Sequence, residues 1–479
     1  MFNVFVSLGK MYLEINEVSK MVLTSAVDTP IVIENNLMCE ELIIDIPQVM
    51  EPVQWRECCI YKVPKTLRQV KKEAYTPKLI SIGPFHHGEK ELRDEENENV
   101  LRDMEKLKVI YFKDFCYRTG KCQKEIARII EENEVKIRHC YAEISKLNSE
   151  DFVKMVLLDS TFIIELFLKN DAKKEDEEDY ILSKPWLEYG IKQDLMLLEN
   201  QLPFFILKEL YDQISYSGKN SKISFLDLAW GYFSFPKSKI PDGKEVKHFT
   251  DLVRYSYCPP IQHSKGYPIT NHLYSATKLY GAGVMFRNDK EGRLLDIQFK
   301  KVPFLKIFPC FDISWFLNCL PCLKCFPCFE RMQTLLKVPT LLIDDGTEIR
   351  FRNLMALEQC HYPSESYICN YVVLLDCLID TSEDVDLLVK EEIIANALGS
   401  NKEVANMVNK LSHEIVEKNS CYDHLAQDLY RHYNQGCNHN MASLRSIYFA
   451  NVWRGTTTIV GLIVFGFTFW NTIRPYVIK

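Results

Sequence analysis

No asparagine in these 479 residues is followed two positions later by serine or threonine, so the chain carries no acceptor for N-glycosylation. In a chain this rich in asparagine, that gap favours a body that never enters the secretory lumen. The opening MFNVFVSLGK has no basic n-region, and its short apolar run stops at Lys10 before any cleavage-like site; no secretory signal is expected. The seventeen cysteines are an odd number and cannot all pair within one chain, which favours reduced thiols over a disulfide framework. Positive charge is not in excess either. With 58 Lys and Arg against 65 Asp and Glu the net charge is -7, which excludes the broad basic footprint of a general nucleic-acid binder.

Complete catalytic motifs are missing as well. Thr119-Gly120-Lys121 ends like a phosphate-binding loop, but position 115 is Phe where that loop needs its first glycine. No G-x-S-x-G elbow for a nucleophilic serine occurs. HEIVE at 413–417 falls short of the zinc motif H-E-x-x-H because its fifth residue is Glu417; an ordinary solvated helix face is expected there. These gaps leave no catalytic residue, no cofactor and no metal to assign.

What is present begins with one apolar segment. GTTTIVGLIVFGFTFWNTI, from Gly455 to Ile473, has no charged residue between Arg454 and Arg474. As a helix it would span about 28 Å, close to the ~30 Å hydrocarbon core of a bilayer. Trp453, Trp470 and Tyr476 lie at its two ends, where amphipathic rings prefer to sit. One transmembrane helix over 455–473 with a short tail at 474–479 is expected. Its position suggests a tail anchor with the body in the cytosol. Flanking basic residues do not set the orientation by themselves, and plasma membrane and endomembrane both stay open. Gly455, Gly461 and Gly466 are not spaced as GxxxG.

Upstream, the periodicity predicts a mainly α-helical globular body over 55–450, with a small antiparallel β meander, after a partly flexible N-terminal extension at 1–54. Residues 94–118 and 121–147 place apolar side chains at helical intervals. DFVKMVLLDSTFIIELFL (151–168) is apolar nearly all round, interrupted by Asp159 and Glu165, and reads as a buried core helix. The charge run 170–179 is expected to be a solvated loop. A helical pair follows over 194–210, with Pro203 at a kink or in the first turn of a new helix. GVMFRN (283–288) and RLLDIQFK (293–300) predict a hairpin, and LLKVPTLLIDD (335–345) a third strand. Helices return in RFRNLMALEQC, in ESYICNYVVLLDCLID and in EDVDLLVKEEIIANAL, the last stopped by Gly399. Ser400 and Glu403 are spaced as a capping box for the next helix.

Three groups stand out as candidate sites. CLPCLKCFPC spaces Cys319, Cys322, Cys325 and Cys328 three apart, after Cys310, among many aromatic residues. A plain apolar insertion over 303–333, S-acylation with interfacial docking, and metal ligation are all open there. Cys58-Cys59 is a lesser acylation candidate, set against a core role. In SIGPFHHG, Gly83 and Pro84 turn the chain before His86 and His87; in an extended segment those two rings point to opposite faces and do not chelate one ion together. Glu199, Asn200 and Gln201, ahead of Pro203, are expected to be helix-end groups satisfied by backbone or Arg partners. The basic stretch Lys62, Lys65, Arg68, Lys71, Lys72 and Lys78 reads as a solvated face or a contact for acidic lipid headgroups.

These blocks, in order, carry a resemblance. IYKVPKTLR (60–68) with AYTPKLISIGPFHHG (74–88), then VLLDSTFIIELF, DLMLLENQLPFFIL, RNLMALEQC and a closing WRGTTT before the apolar span closely resemble the plant "domain of unknown function 247" family. The resemblance implies a plant membrane-associated protein, generally single-pass at its C-terminus and of undefined activity. It also implies that SIGPFHHG is a family marker whose histidines have no established catalytic role. Some members are associated with self-incompatibility, the recognition of self pollen in grasses. The expected function is therefore a non-enzymatic interaction or signalling protein at a membrane, with unknown protein partners and no nucleic acid. Its rivals are an extracellular self/non-self recognition protein and an enzyme whose site gathers Asp194, Glu199 and His86.

Overall fold

The computed structural model describes residues 54–88, 95–172, 179–215, 223–234, 244–258, 266–269, 273–301, 333–436, 438–440, 448 and 452–477. Its first half is helical: α1 (Lys65–Val70), a 3-10 turn (Lys72–Tyr75), α2 (Glu95–Thr119), α3 (Gln123–His139), α4 (Ser149–Asp171), α5 (Pro185–Asp194), α6 (Phe204–Ser215), α7 (Phe225–Phe233) and α8 (Phe249–Tyr257). Then come α9 (Ala276–Gly281), β1 (Val284–Asn288), β2 (Gln298–Lys300), β3 (Thr334–Val338), β4 (Leu341–Ile343), α10 (Thr347–His361), α11 (Tyr367–Leu378) and α12 (Ser382–Lys390). β5 (Ile394–Asn396), α13 (Asn401–Leu411), α14 (Asp423–Asn434) and α15 (Val452–Val477) complete the order.

Helix α4 organises the first core because it has no polar face to give to water. Asn148 starts it by accepting from Asp151 N at 2.8 Å, and Glu150 and Asp151 place negative charge at the positive end of the helix dipole. From Phe152 to Phe167 it is buried almost continuously. Helix α2 lays Met104, Tyr111 and Phe115 into the same core, α3 adds Ile126, Ile130 and Ile137, and α6 to α8 complete it. The ring of Phe167 stacks on Tyr232 with centroids 4.4 Å apart. Helix α3 stops at His139, well short of 147, because Cys140 and Tyr141 turn to pair with the chain at Ile60.

The second core gathers β1, β3 and β4 with α10 to α13 around Leu336, Ile343, Leu354, Tyr371 and Val404. Its sheet corrects the expected hairpin. The first two strands fall where the pattern put them, but the run 335–345 breaks at Pro339 into β3 and β4, which belong to different sheets, and β3 lies between β1 and β2, parallel to β1 and antiparallel to β2. The connection from β1 to β2 cannot close tightly, since Leu295 is buried in the core and Arg293 donates to Cys258 O at 2.8 Å. A mixed sheet replaces the antiparallel meander.

Three further expectations change near the end of the body. The run 383–398 is not one helix: α12 ends at Lys390, Glu392 takes a left-handed φ of 59°, and β5 pairs parallel with β4. Buried Ile393 and Ile394 explain the switch, since β-branched residues fit a pleated surface better than a helix end. Ser400 does precede α13, yet its side chain makes no capping bond; Asn396 instead donates to Asn401 at 2.7 Å. HEIVE lies past the end of α13 in a turn and loop, where Glu417 is partly buried and accepts from Asn370 Nδ2 at 2.8 Å. It is a cross-link, not a solvated helix face.

A thin third apolar layer joins the start of the described chain to this body. Cys58, Tyr61, Val63, Leu67 and Tyr75 pack on Leu198 and on Ala356 and Leu357 of α10. Helix α15 is long and apolar enough to cross a membrane over Thr456–Arg474.

Candidate functional site

The loop 195–203 between α5 and α6 carries Glu199, Asn200 and Gln201, all fully buried. Their polar atoms are turned toward backbone. Asn200 Oδ1 accepts from Ile82 N at 2.7 Å, and its Nδ2 donates to Ile80 O at 3.0 Å and to Asp194 O at 2.9 Å. Gln201 Nε2 donates to the carbonyls of Leu195 and Leu197, both at 2.7 Å, while its Oε1 accepts from Phe249 N at 2.9 Å. Glu199 Oε1 accepts from Val63 N at 2.6 Å, and Oε2 meets Arg68 and, at 3.2 Å, His86 Nε2. Burial works to raise the Glu199 carboxyl, but His86, Arg68 and the Val63 amide outweigh it and hold it below the usual range. Pro203 is buried and immediately precedes the first residue of α6.

The segment 78–88 therefore behaves as a strap whose backbone is read by side chains from elsewhere. Asp194, at the end of α5, accepts from Lys78 N at 3.0 Å, Leu79 N at 2.6 Å and Ile80 N at 2.9 Å. Burial still pushes this carboxyl up to about 6. Gly83 N donates to Asp159 Oδ2 at 2.8 Å, and Asp159 Oδ1 meets Lys108 Nζ at 2.6 Å; that ammonium also donates to Ser81 O at 2.6 Å. Burial opposes a charged Lys108, yet Asp159 and Glu105 outweigh it. Gly83 has a φ of +73°, and a Cβ there would sit 2.4 Å from Gln201 O, so both conformation and space require glycine. Pro84 is half-buried, His86 is buried and His87 is exposed.

Folding thus brings His86 to Glu199, while Asp194 is spent on strap amides, and a catalytic trio of these three does not form. A polar cleft lined by Val70, Lys71, Glu348, Arg352, Glu403 and Lys410 among others includes none of them. The basic stretch is likewise divided among partners: Lys62 pairs with Glu143, Arg68 with Glu199 and Lys71 with Glu348. Among the described residues no group of three His, Cys, Asp or Glu is placed to hold a metal ion. Cys310, Cys319, Cys322, Cys325 and Cys328 lie outside the described residues. Cys58 and Cys59 are core residues.

Sequence reasoning missed four buried polar residues. Lys108 stands on the apolar face of α2, four residues after Met104 and three before Tyr111, and that misplacement of a charge was a usable signal. Arg254 and Glu358 form a fully buried pair at 2.9 Å, with no local cue because 104 residues separate them. His248 caps α8 by accepting from Asp251 N. Its Nε2 lies 3.0 Å from Cys59 O, and since a carbonyl only accepts, Nε2 carries the proton.

That arrangement has a pH consequence. Burial, with His361 adding to it, pushes His248 down to about 3, so between there and ~6.5 the unfolded chain binds a proton the folded one does not. Stability from this group is full above ~6.5 and is lost as pH falls. Asp251, pushed up to about 6 by burial, acts in the opposite sense between ~4 and 6 and gains stability on acidification. His248→Asn keeps a capping acceptor without the titration. Between pH 7.5 and 5 the wild type is expected to lose about 2 kcal/mol more than this variant in urea unfolding. Equal losses would show that His248 is not held neutral by the fold.

Residues 60–467 match a family described as a plant protein of unknown function, DUF247. Two Arabidopsis thaliana proteins are similar to the chain. UPF0481 protein At3g47200 is 28% identical over 404 residues, covering 77% of this chain and 75% of the relative. A second UPF0481 protein, At3g02645, is 23% identical over 469 residues, covering 82% and 86%. No solved structure matches. The blocks that meet at the strap all fall within the matched span, and the chain belongs to the plant DUF247 family.

Proposed function

We propose that the protein is a single-pass membrane protein whose helical body works by binding a protein partner on the cytosolic side, without turning over a substrate. One observation carries the reading. Val460, Leu462, Val464, Phe465, Phe467 and Trp470 of α15 are each more than half exposed, and none of the Thr456–Arg474 stretch is buried against the body. Apolar surface of that length is at home in lipid. The absence of glycosylation acceptors supports a cytosolic body. The use of Asp194, Glu199 and Asn200 to hold backbone supports a scaffold over a reaction centre.

Protease protection on sealed plant membranes tests both halves, using the full chain with an N-terminal tag. The tag is expected to pellet with carbonate-washed membranes and to be digested without detergent. A tag that resists until detergent is added places the body in the lumen or outside the cell and favours the recognition reading. Release by carbonate removes the membrane span from the proposal.

A further inference from the structure

Cys140 ends α3, and its carbonyl accepts from both Cys59 N and Ile60 N at 2.9 Å. Ala142 N returns a bond to Ile60 O at 2.9 Å, and Ile60 pairs in parallel with Tyr141. Cys59 and Cys140 are therefore backbone neighbours beside this isolated bridge. Backbones bonded at the ~4.8 Å spacing of paired chains fall within the Cα separation of roughly 4.4–6.8 Å that a disulfide spans. The two cysteines pack in the same buried cluster, and the Cys140 thiol donates to Lys136 O at 3.3 Å. The geometry points to a thiol–disulfide switch site at Cys59 and Cys140, closed by exchange with a small disulfide of the glutathione type.

Cys140 is the attacking group. The neighbouring Cys59, with Lys136 and Lys247 adding to the effect, holds its thiol below the usual range despite burial, and it is the thiolate that is nucleophilic. Cys140 S⁻ attacks one sulfur of the oxidised glutathione, breaking that S–S bond and releasing one glutathione thiolate. The Cys59 sulfur then displaces the second glutathione from Cys140, its proton passing to the glutathione released. Two protein thiols become one disulfide while one glutathione disulfide becomes two thiols. Both cysteines are buried, but Gln54, Arg56 and Glu57 beside them are exposed. Local opening of this lead segment admits the reagent, and reclosure brings Cys59 back to resolve the mixed disulfide. The bond would tie the lead segment to α3 and fix Cys59 O, which also holds His248.

The test incubates the full chain in detergent micelles with oxidised glutathione, then alkylates, digests with trypsin and maps linked peptides. The expected product joins peptide 57–62 to peptide 139–146, is lost in Cys59→Ser and in Cys140→Ser, and persists in Cys58→Ser. The linked protein is expected to melt about 5 °C higher than the reduced one. If exposed Cys122 becomes glutathionylated while no 59–140 link forms, the proposal fails. It fails equally if the link survives in Cys59→Ser, since Cys58 is then the partner. The wild-type map decides the question even where a serine variant does not fold, and it does so on either side of a membrane.

Discussion

Asp194→Ala is expected to lower the unfolding free energy of the body by about 2–6 kcal/mol, because three strap amides lose their acceptor at once and the two set away from water, Leu79 N and Ile80 N, cost roughly 1–3 kcal/mol each when unpaired. The donors are Lys78 N, Leu79 N and Ile80 N, of which Ile80 is wholly buried. The loss also propagates. Asn200 holds both Ile80 O and Asp194 O, so a loosened strap takes the 195–203 loop with it. A domain held by about 5–15 kcal/mol has little to spare against such a change. Asp194→Asn retains one oxygen acceptor but turns an amide group toward the remaining N–H donors, and an intermediate loss is expected. Urea unfolding of the full chain in micelles, followed by circular dichroism, reads both variants. A midpoint for Asp194→Ala within experimental error of wild type would show that water or a neighbour satisfies the strap without this carboxylate.

The importance of Asp194 was not readable from the sequence. The pattern put a helix from Asp194 onward, whereas α5 ends at Asp194 and a loop runs to Pro203 before α6; only the Glu199-Asn200-Gln201 cluster announced groups that need partners, since such residues are buried only when bonded. That cluster does not tell which backbone it holds. The partners of Asp194 lie 114 to 116 residues away, beyond the reach of any local pattern. The same limit explains the sheet. Alternation marked β1, β2 and β3 as strands, but their order depends on Leu295 and Arg293 being pulled aside by the second core. Periodicity gave the long helices α2, α3 and α4 because a buried stripe repeats every turn. It failed at α12 and β5, where Ile393 and Ile394 continue the apolar pattern while Glu392 reverses the backbone. Lys108 shows the opposite case. Its place on the buried face of α2 was visible, and so was Asp159 inside the apolar run of α4; only their pairing at 2.6 Å required the fold.

Replacing Val464 and Phe465 together with arginine is expected to abolish stable membrane integration while leaving the melting of the body unchanged. The two positions lie at the middle of the Thr456–Arg474 stretch, where one arginine costs roughly 2.5–3.5 kcal/mol on insertion scales, so the pair costs about 5–7 kcal/mol. The threonines of the helix are compatible with lipid. Thr468 donates its hydroxyl to Val464 O, Thr472 donates to Thr468 O at 2.8 Å, and Thr458 donates to Arg454 O at 2.7 Å. Each hydroxyl proton is thereby satisfied one turn back along the same helix, the condition for polar groups in hydrocarbon. A Cβ added at Gly461 or Gly466 would meet nothing within 4 Å, so these glycines are not there to admit a close neighbour from the body. The span and the body are consequently expected to respond separately. Carbonate extraction should move the double variant from the membrane pellet into the supernatant or an aggregate, with the cooperative unfolding of the helical body at the wild-type midpoint. A variant that stays in the pellet and remains detergent-extractable as an integral protein would show that α15 is not what holds the chain to the membrane. A lowered midpoint would show that α15 packs against the body, and its exposed apolar surface would then need a protein partner, not lipid, to explain it.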